Sequence, residues 1–176
     1  MKPQGRKYGA SSKEQEQFLK ENPQTETKTL TKPSHTPTKN HEETKDAVVF
    51  DAYAWVEYAL NSPYADMIAE KLSSARHPLT PATVIGELKE AMLRHHIPKS
   101  KISTVLLYVK NKSTVVNIDA EIAEKAAEIN FQHKKTIKGW GMLDSIVYAV
   151  TILKKGQVIT GDPHFKNLPQ VTYIGT

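Results

Sequence analysis

Polar residues dominate the chain from Met1 to Asp46, and from there apolar runs alternate with charged ones. The first run, Ala47-Val48-Val49-Phe50, is short, rich in β-branched residues and closed by a carboxylate, Asp51. Such a run reads as a strand buried on both faces. Helical spacing follows. Ala52 to Leu60 forms a helix that Asn61-Ser62-Pro63 breaks, and Ser62 as cap with Pro63 at the first position restarts a second helix to about Ser74. Ala65, Ile68, Ala69 and Leu72 make its apolar face. Thr80-Pro81 spells another cap and first turn, launching a helix through His96 that Ile97-Pro98 ends. Its apolar face is Val84, Ile85, Leu88 and Met92, with Glu87 beside it.

Ser100 caps the next helix, in which Ile102, Val105, Leu106 and Val109 keep helical spacing, and Thr114 to Ile118 reads as a β-branched strand. Asp119 is the N-cap of a helix from Ala120 to about Phe131. Met142 to Leu153 is apolar except for Asp144, Ser145 and Thr151, which predicts a helix buried nearly all round. Gly156 fits a helix stop, Gln157 to Thr160 another strand, and Val171 to Ile174 a last short one. Strands alternating with helices predict a parallel sheet covered on both faces.

The first 46 residues hold only Met1, Tyr8, Phe18, Leu19 and Leu30 as sizeable apolar groups. That is too little to offset the entropy of ordering, so residues 1–46 are expected to be a disordered or weakly structured polar tail before a domain over residues 47–176. Ser12 to Lys20 has the pattern of a transient helix at most. The tail carries nine basic and seven acidic residues, a poor composition for a dedicated basic arm. The whole chain, 176 residues with 39% hydrophobic content, suits one domain with a sizeable core. A net charge of +5 suggests a polyanionic partner. Cysteine is absent, which excludes disulfides and thiolate metal sites. No apolar run reaches membrane-spanning length and the start lacks the apolar core of a signal peptide, so the expected location is the cytoplasm.

Four carboxylates then carry the chemistry. Asp51 and Asp162 follow apolar strands, while Glu87 and Asp144 lie in early helical turns, and in a parallel sheet all four points fall at one edge. Converged carboxylates repel and protonate unless a cation sits among them, and oxygen ligation favours Mg²⁺ or Mn²⁺. Such an ion can lower the pKa of bound water and neutralise charge on a phosphodiester, which reads as hydrolysis. Beyond residue 46 there are 15 basic and 12 acidic residues, so four acids gathered in a crevice leave a positive rim suited to a nucleic-acid backbone. Among secondary candidates, Lys134, Lys135 and Lys138 are placed to grip phosphates, and His164 to touch substrate. Glu57 reads as a surface or salt-bridge residue, Trp55 and Tyr148 as core. The adjacent His95 and His96 point about 100° apart on a helix and do not share one ion easily.

Together, Val48-Val49-Phe50-Asp51 with Tyr53-Ala54-Trp55, Thr80-Pro81 with Glu87-Leu88, Gly141-Met142-Leu143-Asp144 with Ala149, and Ile159-Thr160-Gly161-Asp162 with His164-Phe165 resemble the PIN-domain ribonucleases. The resemblance is strongest to small prokaryotic VapC-type toxins and their archaeal relatives, over about residues 47 to 174. It implies a three-layer α/β/α fold with a central parallel sheet of four to five strands and an endoribonuclease site dependent on Mg²⁺ or Mn²⁺. It also implies RNA as substrate, a homodimer, and often an antitoxin partner. By position, Asp51, Glu87, Asp144 and Asp162 become the metal-binding, catalytic acids. The family often places Ser or Thr soon after its first Asp, whereas Ala52 and Tyr53 stand here, leaving Thr160 as the alternative hydroxyl contact to substrate. A tail of this length is also atypical of the compact toxins.

Two other readings compete. One is a catalytically weak RNA-binding or protein-interaction module that keeps the fold. The full acidic set argues against it, because a binder of phosphate gains from losing negative charge. The other is phosphoryl transfer through an aspartyl nucleophile, which commonly wants a second Asp two residues on, where Tyr53 stands.

Overall fold

Five short strands set the frame of the computed structural model, which describes residues 47–175; the predicted tail lies outside the described residues. They are β1 (Ala47–Phe50), β2 (His77–Pro81), β3 (Thr114–Val116), β4 (Gln157–Thr160) and β5 (Val171–Tyr173). All neighbouring pairs are parallel, in the order β3-β2-β1-β4-β5. Six α-helices flank the sheet: α1 (Ala52–Ala59), α2 (Ala65–Ser74), α3 (Ala82–Arg94), α4 (Lys99–Lys112), α5 (Ala120–His133) and α6 (Met142–Leu153). The result is the expected three-layer α/β/α arrangement.

The β-branched runs are central because nothing polar interrupts them. Val49, Phe50, Val158 and Ile159 are fully or almost fully buried at the middle of the sheet. Helix α6 packs on β1, β2 and β4 and against α5. Its buried face is Val147, Tyr148, Ala149 and Val150, with Ser145 and Thr151 buried as well. Each of those hydroxyls bonds the carbonyl four residues back, which satisfies it without leaving the helix. Met142 and Leu143 remain 45% and 44% exposed, so this helix is not buried all round as predicted. Trp55 and Tyr148 are core, as expected.

His77–Pro81 is a strand although Thr80-Pro81 carries the signature of a helix cap and first turn, and although prolines are rare inside sheets. The structure accommodates them near the strand ends. Pairing with β3 begins only at Leu79, and Pro81 is the last residue, directly preceding α3. Thr80 therefore does not cap that helix. Its hydroxyl is buried, accepting Trp55 Nε1–H at 3.1 Å and bonding Ser113 Oγ at 2.7 Å. Other boundaries shift too: β3 ends at Val116 and β5 at Tyr173, short of the expected Ile118 and Ile174. Helix α2 starts at Ala65, and Ser62 instead accepts the N–H of Tyr64. Helix α4 starts at Lys99, so Ser100 lies within it, and α3 ends at Arg94. Gly156 is not the left-handed stop after α6; Lys155 takes that conformation, with φ of 51°. Glycine is needed at 156 because a Cβ there would stand 2.5 Å from the Ala47 carbonyl oxygen. No helix among the described residues is long and apolar enough to cross a membrane.

Candidate active site

Parallel strands deliver their last residues to one edge of the sheet. Register Phe50↔Ile159 puts the ends of β1 and β4 side by side. The chain runs from β1 outward to β2 and β3 on one side, while β4 and β5 lie on the other, so this pair is the topological switch point. Asp51 follows β1 there and is 9% exposed. Its Oδ1 accepts the Ala52 N–H at 2.7 Å, capping α1, and its Oδ2 accepts the Thr160 hydroxyl at 2.7 Å. Thr160 Oγ1 in turn accepts the N–H of Asp162 at 3.0 Å.

The other acids arrive from separate elements. Glu87 comes from the second turn of α3 and is half-buried. Asp144 lies in the first turn of α6, where Oδ2 accepts the Gly141 N–H at 2.7 Å. It is therefore a cap and a crevice residue at once. Asp162 begins a short 3₁₀ turn (Pro163–Phe165) and accepts the His164 N–H at 2.8 Å. All four acids line a single crevice of about 360 Å³.

Burial pushes the Asp51 carboxyl up to about 6, against the Thr160 and Ala52 hydrogen bonds and with repulsion from Asp162 and Asp144 adding to it. Glu87 rises to about 7, from burial first and then from the charges of Asp51, Asp144 and Asp162. Asp144 is also raised by burial, opposed by the Gly141 N–H. Acids gathered in this way hold protons near neutrality unless positive charge joins them. A donor set dominated by carboxylate oxygen fits a hard divalent cation. One orphaned atom points the same way: His164 Nδ1 is buried with no hydrogen-bond partner, 3.2 Å from Asp162 Oδ1 and 3.6 Å from Asp144 Oδ2.

Not every candidate reaches the crevice. Thr160, offered above as a substrate contact, is fully buried and its hydroxyl is engaged by Asp51 and Asp162, so its geometry is that of a residue holding the acids. Lys134, Lys135 and Lys138 are exposed at the turn after α5, and none lines the crevice. Lys135 Nζ lies 3.6 Å above the ring of exposed Phe131. Glu57 does line it, with Tyr53 and Val56. The signal was the i, i+3, i+4 spacing of these three, which places them on one face of α1.

Architecture and crevice together define a doubly covered parallel α/β domain with an acidic site at its switch point. The PIN domain family model matches residues 48–171, and the chain belongs to that family. Among solved structures, it is similar to a chain of a toxin-antitoxin complex from Klebsiella pneumoniae, with 16% identity, TM-score 0.59, and coverage of 73% of this chain and 99% of that one. A VapC toxin of Mycobacterium tuberculosis that cleaves the sarcin-ricin loop is similar at 16% identity and TM-score 0.58, covering 73% and 99%. A VapBC complex from Rickettsia felis bound to a DNA fragment from its promoter follows at 13% identity and TM-score 0.59, covering 73% and 98%. Comparison with curated proteins gives no match.

Proposed function

We propose that this protein is a divalent-metal-dependent endoribonuclease that hydrolyses RNA phosphodiesters, and that it is the toxin of a toxin–antitoxin pair. The observation that carries the reading is the delivery of Asp51, Glu87, Asp144 and Asp162 from four separate elements into one crevice. Two of them, Asp51 and Glu87, are pushed up to about 6 and about 7, the state that positive charge would relieve. The toxin assignment draws on the fold shared with the VapC and VapBC structures, and with it an antitoxin partner, a homodimer and action in the cytoplasm.

In this reading the four carboxylates hold Mg²⁺ or Mn²⁺. Such an ion, when bound, supplies activated water and neutralises charge on the phosphodiester. The chain's own residues fix the geometry. Thr160 and the Ala52 N–H orient the two oxygens of Asp51, so that its carboxylate plane is set before any ligand arrives. The Gly141 N–H does the same for Asp144, and the positive end of α6 favours its charged form. Tyr53, Leu143 and Pro163 also wall the crevice.

The test is cleavage of a mixed single-stranded and structured RNA pool by the purified full chain, with Mg²⁺, Mn²⁺ or EDTA. Metal-dependent cutting abolished by Asp51→Asn and by Asp144→Asn is the expected result. Equal cutting by wild type and both variants would overturn the assignment of these acids.

A further inference from the structure

Resting on the metal-site reading above, we infer that His164 supplies an imidazole nitrogen ligand beside Asp144 and Asp162, two of the acids that line this crevice. The site is then a mixed nitrogen–oxygen site that takes Mn²⁺ in preference to Mg²⁺. One ring nitrogen of His164, one oxygen of Asp144 and one of Asp162 lie within 4.8 Å of one another, the span of ligands around a single ion. His164 Nδ1 approaches Asp162 Oδ1 to 3.2 Å without hydrogen-bond alignment, and no other group satisfies it. A buried polar atom left unpaired costs stability, and an ion between it and the carboxylates removes that cost.

The ring is held in place to do this. The His164 backbone N–H is bonded to Asp162 Oδ1, and Trp140 lies edge-on to the ring at 6.5 Å between centroids. Opposite, Gly139 has φ of 92°, and a Cβ there would stand 2.8 Å from Nε2. Only glycine meets both conditions, so the backbone at 139 seats the far nitrogen while Nδ1 faces the acids. The Trp140 indole is buried and pinned by its 2.7 Å hydrogen bond to Ser145 Oγ, at the start of the helix that carries Asp144. Imidazole is a good ligand for later divalent ions, whereas Mg²⁺ keeps to oxygen and near-ideal octahedral geometry. The competing arrangement is a protonated His164 in an ion pair with Asp162 and Asp144.

The experiment is pulsed electron paramagnetic resonance of Mn²⁺ added to the metal-free full chain, alongside titrations with Mn²⁺ and with Mg²⁺. The wild type is expected to show ¹⁴N modulation from a directly bound imidazole. His164→Gln should lose that modulation and about tenfold or more in Mn²⁺ affinity, with Mg²⁺ affinity within about twofold. Gly139→Ala should weaken the modulation by displacing the ring. Bound Mn²⁺ without ¹⁴N modulation in the wild type, whose folding is not in question, overturns the assignment and leaves the carboxylate site standing. A wild type that binds neither ion overturns both.

Discussion

Asp51 concentrates the energetics of the site in one side chain. An acid whose folded pKa stands above its unfolded value binds more protons when folded, so its contribution to stability falls as pH rises between the two. For Asp51 that window runs from 3.8 to about 6, and for Glu87 from 4.5 to about 7. The shift at Asp51 corresponds to a penalty on the order of 3 kcal/mol once it is ionised, and half-buried Glu87 adds less. The metal-free protein should therefore melt higher at about pH 5 than at about pH 7.5, by about 4 °C or more, in calorimetry with EDTA. Adding Mn²⁺ at the higher pH should recover the difference, and a melting point that rises with pH in EDTA would contradict it. Thr160→Val is the companion test. It removes the donor to Asp51 and leaves the Asp162 N–H unpaired, so urea unfolding should show a loss of about 1–3 kcal/mol. Loss of cleavage should follow, since Asp51 is no longer oriented. These roles were only partly legible in the sequence. Strand-end position announced Asp51 and Asp162, but the hydroxyl that bridges them depends on β1–β4 adjacency, which chain order does not reveal.

At the level of elements, legibility followed the strength of the local signal. Helix α6 is legible because nine of the twelve residues from Met142 to Leu153 are apolar, and Asp119 is the cap its position predicts, accepting the Ile122 N–H at 2.9 Å. Strand β2 is hidden in the sequence by Thr80-Pro81, which spells a helix cap and first turn, and only the register with β1 and β3 shows that its prolines fall where pairing tolerates them. Thr80 was misread for the same reason. As the acceptor of Trp55 Nε1–H between β2 and α1, it should behave as a structural residue. Thr80→Val leaves the buried indole N–H without its acceptor and removes one of the two hydrogen bonds of the Ser113 hydroxyl, and should cost about 1–3 kcal/mol in urea unfolding. Cleavage by the remaining folded protein should persist at low temperature. A variant that folds as well as wild type but is inactive would assign Thr80 to the site instead.

On the scale of the whole molecule, an acidic crevice sits within a chain that carries net positive charge. Binding of RNA by the Asp144→Asn variant should weaken linearly in log–log coordinates as salt rises, as counterion release requires. Affinity unaffected by salt would separate substrate recognition from this charge balance. The alternation of strands and helices made the architecture readable, and the family match over residues 48–171 agrees with it. The approach of Gly139 to His164 was less so, because it depends on packing between segments distant in sequence. The central claim, that four carboxylates from four elements form one metal site, is tested most directly by anomalous diffraction from crystals of the full chain grown with Mn²⁺. The account predicts an anomalous peak in the crevice, coordinated by acids from the set Asp51, Glu87, Asp144 and Asp162. Mn²⁺ bound only elsewhere, with this crevice empty at saturating metal, would contradict it.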